Sequence, residues 1–260
     1  MCLILFIGLS YSAYCEEQKR QFTEDTSQTC TAIDPQSIYS KDNMQIFFNG
    51  KNAHHAGAYS TAFRLLMPLA EKGHKRAQTG VGLMYLHGDG LDKDEEKAIE
   101  WFKKASCQNH DWAHYHLGTS YYYGEGVPID FEQSFKYFQM ASLNNNASAF
   151  LSLGHLYSSG NGIKKNHSLA KENYKKALTL GEIDAAFFLG VINYGGGQLP
   201  KDSVIALMWF KIAGVSGDSS ASVFIENLKA ELLTDDILEA TEMAKKCILS
   251  GYSLCEVRQL

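Results

Sequence analysis

The sequence has no excess of basic charge. Its 24 Lys and Arg are outnumbered by 29 Asp and Glu, which leaves a net charge of −5. A nucleic-acid surface needs a basic stripe, so no nucleic-acid partner is expected. No set of Cys, His and carboxylates has zinc spacing. His54 and His55 are adjacent, and His114 and His116 are two apart. Residues so spaced do not share a helix face, so no metal is expected. Gly88-x-Gly90 and Gly124-x-Gly126 follow helical patterns, whereas a phosphate cradle needs a strand before it. No cofactor is implied.

A long apolar run is also missing. The longest at the start, Cys2–Leu9, is too short to span a bilayer but has the length of a signal-peptide core. Residues 1–15 are therefore read as a signal peptide, with Ala13 and Cys15 at the small positions before cleavage at Cys15–Glu16. No Lys or Arg precedes the run, which a true start codon further upstream would explain. Tyr14 is bulky where a lipoprotein signal wants a small residue, so Cys15 is not expected to carry lipid. Residues 16–40 are a polar lead-in, ordered only if docked.

What the chain does have is repetition. Gly82, Gly118, Gly154 and Gly190 are 36 residues apart, as are Gly88, Gly124, Gly160 and Gly196, and as are Ala105, Ala141, Ala177 and Ala213. Four blocks result: 77–112, 113–148, 149–184 and 185–220. Self-similarity at such a period signals a stacked array. Within a block, Ala77, Gly82 and Tyr85 mark one face of a first helix, and Gly88-Asp89-Gly90 stops it. Asp94, Asp130, Asn166 and Asp202 are placed to cap a second helix, with Gln133 adding a capping-box pattern.

The second helix sets large aromatics against small residues. Ala98, Trp101, Phe102 and Ala105 have equivalents up to Ala206, Trp209, Phe210 and Ala213. Asn109, Asn145, Gly181 and Gly217 close the blocks, being residues that tolerate a left-handed backbone. Residues 41–76 read as a degenerate first repeat with Pro68 inside its second helix. Residues 221–260 read as C-terminal capping helices, the last capped by Thr234-Asp235-Asp236. Hydrophobic residues make up 45% and charged residues 20%, enough apolar side chain to build a core along such an array.

The pattern A-x-x-x-L-G-x-x-Y-x-x-G-x-G resembles the Sel-one-like repeat (SLR) family, a relative of the tetratricopeptide repeats. The second block carries it in Ala113, Leu117, Gly118, Tyr121, Gly124, Gly126, Val127 and Asp130. The fourth departs from it at Asn193 and Gln198, so its turn is expected to differ. The resemblance implies an all-α fold, a right-handed superhelical solenoid of antiparallel helix pairs. It also implies that first helices line a concave groove. The groove positions are then Thr79, Leu83, Leu86 and His87, then Tyr115, Thr119, Tyr122 and Tyr123 with Trp112 upstream. Further along they are Leu151, His155 and Ser158, then Phe187, Val191 and Tyr194. Of these, Trp112, Tyr115, Tyr122, Tyr123, His155, Phe187 and Tyr194 are the expected partner-binding residues, since aromatic side chains bring large contact area.

The functional expectation is a monomeric, non-enzymatic scaffold that binds a polypeptide in that groove, exported to the periplasm or secreted. The alternative is a cell-wall protein that binds or hydrolyses peptidoglycan or a β-lactam. Ser168-Leu169-Ala170-Lys171 fits the S-x-x-K of penicillin-recognising serine enzymes, but no S-D-N or K-T-G accompanies it. Cys30, Cys107, Cys247 and Cys255 remain after cleavage, and export favours their oxidation. Cys247 with Cys255, across Gly251, leaves Cys30 with Cys107; some could equally be buried small apolar side chains. If the export reading holds, N-terminal sequencing of the protein recovered after secretion finds Glu16 as the first residue; retention of Met1 would overturn it.

Overall fold

The computed structural model describes residues 38–195, 201–215, 217, 219–253 and 255. Cys30, Gly196, Gln198 and the leader and lead-in expected over 1–37 lie outside the described residues. Twelve helices and no strand occur among the described residues: α1 (Lys41–His55), α2 (Tyr59–Glu71), α3 (Lys75–His87), α4 (Glu95–Ser106), α5 (Asp111–Tyr123), α6 (Phe131–Ser142), α7 (Ala147–Ser159), α8 (His167–Thr179), α9 (Ala185–Gly195), α10 (Ser203–Val215), α11 (Ser219–Glu231) and α12 (Thr234–Leu249). They divide between two compact units, Met1–Asn144 and Asn145–Leu260. Each unit is a run of helix pairs, each helix packed on its neighbours in sequence.

The pairing rests on one contact repeated four times. A Cβ on Gly118 would lie 2.7 Å from the Phe138 ring, and one on Gly190 would lie 2.7 Å from the Phe210 ring. Gly82 against Phe102 and Gly154 against Tyr174 are equally close. The aromatic ring of the second helix thus lies directly on the backbone of the first. The first pair, α1 and α2, reaches the same end differently. Gly50 faces Leu66, which a Cβ there would meet at 2.8 Å. Leu66 stands 36 residues before Phe102, but Gly50 lies one helical turn past the position that the period assigns.

The caps follow the sequence closely. The Asp94 carboxylate accepts from the Lys97 N–H at 2.9 Å, Asp130 from Glu132 and Gln133 at 3.0 Å, Asn166 from Leu169 at 3.1 Å and Asp202 from Ile205 at 3.0 Å. The same four residues donate their own N–H to the carbonyls of Tyr85, Tyr121, Tyr157 and Asn193. The backbone link therefore survives the Tyr-to-Asn change at 193. Asn109 and Asn145 are left-handed at φ 53° and 58°, as are Gly181 and Gly217. The expected cap at Thr234 is not formed. Leu233 occupies the cap position without a side-chain bond, and Thr234 is already helical. Asp235 and Asp236 sit in the first turn, where their charge meets the positive end of the helix. The second helix of the first pair, α2, runs on through Pro68 to Glu71.

In the second unit α10 is the core element. Val204 through Phe210 are all buried without a break. Three helices account for this: α9, α11 and α12 all pack on it. In the last turn of α12, Cys247 is bonded to Cys255 beyond the helix, with Cα atoms 4.7 Å apart. Gly251 and Tyr252 turn the chain between them with positive φ. Cys107 is disulfide-bonded as well.

Replacing Gly118 by leucine drives a side chain into Phe138 and should cost on the order of 1–3 kcal/mol or more in denaturant melts. Asp130→Ala loses one cap and should cost about 1 kcal/mol. The reverse order would show that the ring contact does not hold the pair together.

Candidate functional site

α5 packs on its own second helix, α6, and on the second helix before it, α4, and leaves part of its surface uncovered. The stripe there is Trp112, Tyr115, Thr119, Tyr122 and Tyr123, spaced at three, four, three and one residues. Trp112 is 46% exposed and Tyr123 is 66% exposed, unusual values for side chains of this size. Tyr115 and Tyr122 are half-buried. Tyr115 leans on the Phe138 ring at 5.7 Å between centroids and meets Trp112 edge-on at 5.8 Å. Tyr122 sits between Tyr123 and Phe131. The four rings thus form two pairs, each with one ring anchored on α6 and one presented to solvent.

Two positions expected in the groove on α3 are not there. Thr79 is buried, its hydroxyl donating to the Lys75 carbonyl and lying 2.8 Å from His110 Nδ1. Leu86 is buried in the cluster of Ile99, Phe102, Leu117 and Met140. Thr79 is covered by His110, just before α5, and Leu86 by side chains of α4, α5 and α6.

In the second unit, His155 is held from behind. Its Nδ1 is 3.0 Å from the Tyr174 hydroxyl and its ring meets Phe188 edge-on at 4.3 Å. Burial lowers its pKa from the usual histidine value. Phe187 and Tyr194 are half-buried against Phe210 and Phe224, and Lys201 lies over the Tyr194 ring. Val191, between them, is 39% exposed. These rings belong more to the packing of α9, α10 and α11 than Trp112 and Tyr123 belong to theirs.

The first helices are nearly free of charge. Over α3, α5, α7 and α9 the fixed charges are Lys75, Arg76 and Asp111. The histidines in this part of the chain were invisible as a group in the sequence. His74, His110, Asn146 and Glu182 are 36 apart at the entrance of the first helices, a register the glycine pattern did not advertise. His74 Nδ1 accepts from the Ala77 N–H at 3.2 Å, and Asn146 does the same for Ala149 at 2.9 Å. His54, considered above as a ligand, pairs with Asp89 at 2.8 Å instead. Among the described residues no group of three His, Cys, Asp or Glu could hold a metal ion. Ser168 is exposed, while the Lys171 amine is 3.4 Å from the Asn193 side-chain oxygen, directed at α9. No described helix is long and apolar enough to cross a membrane.

Four copies of the Sel1 repeat profile match this chain, at residues 75–110, 113–146, 147–182 and 183–218. A Sel1 repeat protein from Oxalobacter formigenes is similar in structure, with a TM-score of 0.67 and 26% identity over 79% of this chain and 87% of that one. So is c5321, a protective antigen of uropathogenic Escherichia coli strains with an SLR fold, at a TM-score of 0.67 and 24% identity. That match takes in 92% of this chain but 48% of the antigen, so this chain spans about half its length. No curated protein sequence matches the chain.

The two classes of tyrosine separate in stability. Tyr123→Ala should change stability by less than about 0.5 kcal/mol, as at an exposed position. Tyr115→Ala should cost about 1–2 kcal/mol through its lost contact with Phe138. Equal losses in chemical denaturation would mean that Tyr123 is packed too.

Proposed function

Because the chain belongs to the Sel1 repeat family, whose repeats generally mediate protein–protein interaction, we propose that it is a non-catalytic scaffold holding a polypeptide segment against the first helices of its repeats. The observation that carries this is the ring set of α5. Trp112 and Tyr123 are large, largely uncovered, and fixed in place by Tyr115 and Tyr122 beneath them. Pre-fixed aromatic side chains of this kind give up little rotamer freedom on binding. The second unit offers its own, shallower row in His155, Phe187 and Tyr194. The scarcity of charge on these helices favours a partner segment rich in apolar and uncharged polar side chains, held by contact area more than by ion pairs.

The protein acts, in this reading, outside the reducing cytoplasm, in the periplasm or after secretion, as a monomer. The disulfide at Cys247–Cys255 and the bonded state of Cys107 support that compartment, because such bonds persist where oxidation is maintained.

A photo-cross-linking residue in place of Tyr123, in cells that make the protein, should trap a discrete polypeptide partner. Trp112→Ala with Tyr123→Ala should weaken capture of that partner by about 2 kcal/mol or more, with the melting temperature unchanged. Cross-linking that is no stronger at Tyr123 than at the exposed outer residue Lys136 would overturn the groove.

A further inference from the structure

The aromatic row is carried by a helix seated on histidines. Three of them, His110, His114 and His116, lie at one end of α5, interleaved with Trp112 and Tyr115. His110 is buried with Nδ1 2.8 Å from the Thr79 hydroxyl on α3. His114 is buried between α4 and α6: its Nδ1 is 3.0 Å from the Ser106 hydroxyl, Nε2 is 3.3 Å from the Asn109 side-chain oxygen, and its face stacks toward Tyr137. Since the Asn109 oxygen can only accept, Nε2 carries the proton and Nδ1 is left to accept from Ser106. His116 stacks on Phe102 of α4 at 5.2 Å, with Trp112 and Tyr115 around it. The charged and titratable groups facing the three rings are Lys75, Arg76, His74 and His87 from α3 and Asp111 from α5 itself. From α4 and α6 they meet the neutral Phe102, Ser106 and Tyr137. Among the described residues, Asp111 is the carboxylate whose charge acts on His110 and His114.

We propose that acidification opens the groove of the first unit: protonation of His110, His114 and His116 unseats α5 from α3 and α4, dismantles the aromatic row and releases whatever segment it holds. This rests on the groove reading for its consequence, though not for its physics. Burial holds each of the three near a pKa of about 4, against 6.5 for an accessible histidine. Above pH 6.5 the rings are neutral whether α5 is seated or not. Between 6.5 and about 4 the opened chain binds protons that the seated one refuses, so stability falls with pH; below about 4 it falls no further. At pH 5 a single group with that difference favours the opened form by about thirtyfold. The second unit has two histidines, His155 and His167, whose pKa values burial also lowers, but no cluster of three on one helix, so the larger effect falls on the first.

The neighbouring repeats supply the control. One period after His110, His114 and His116 the chain has Asn146, Phe150 and Ser152, none of which titrates in this range. Hydrogen exchange of the full chain, read by mass spectrometry at pH 7 and pH 5 and corrected for the intrinsic rate, tests the proposal without a partner. Amides of α5 should lose roughly a hundredfold or more in protection while those of α10 and α12, which carry no histidine, lose less than tenfold. The His110→Asn, His114→Phe, His116→Ser variant should keep α5 protected at pH 5. Should that variant not fold, histidine ring titration of the wild-type chain by NMR decides. Rings that titrate near 6.5 with the fold intact would overturn the proposal. So would α5 protection that persists at pH 5, or earlier opening of α10 and α12. Failure here leaves the cross-linking test of the groove untouched, and the converse also holds.

Discussion

Each of the four repeats depends on a ring lying flat against a glycine. Phe102, Phe138, Tyr174 and Phe210 occupy the space where a Cβ would be. The contact brings two helices closer than side chains on both would allow, and it fixes their rotation about each other. That rotation decides which residues of the first helix remain outside. With Gly118 facing Phe138, α5 presents Trp112 and Tyr123 to solvent. The exposed stripe is therefore a geometric remainder of the packing, and whatever it binds is set by where the glycine stands.

Much of this was legible because the period is strict. Asp94, Asp130, Asn166 and Asp202 cap their helices as their side chains suggest, and the glycines turn where the pattern puts them. The errors arise where the chemistry is not local. Thr79 reads as a groove residue by register, but His110, at the far end of the same block, folds back over it. Leu86 shares its register with Tyr122 and is drawn into a cluster built by three helices. Histidine is a poor predictor of a cap, so the role of His74 emerges only from the position of its ring nitrogen. Gly50 takes over the glycine's task one turn late, which a fixed 36-residue count cannot find.

The site residues divide along the same line. Aromatic identity and helical spacing place Trp112, Tyr115, Tyr122 and Tyr123 on one stripe, and the structure brings these rings into contact. Which of them anchor and which face water depends on Phe131 and Phe138, residues of another helix. The same dependence ties the stripe to the buried histidines. Their rings supply the bulk that seats α5, at positions where other repeats use Asn, Phe or Ser. Tryptophan or phenylalanine there would give contact area without sensitivity to pH; histidine gives both.

The all-round burial of α10 has a consequence for solubility. A helix-pair array ends, in principle, on a second helix whose next apolar face is prepared for one more repeat, and a like molecule could supply it. Here α12 lies across that helix, and Ala240, Ala244 and Cys247 are buried. Head-to-tail polymerisation through α10 would first require α12 to be peeled away, and the bridge to Cys255 stiffens the chain just beyond it. The face of α10 that α12 covers is closed to any further helix for as long as α12 stays seated.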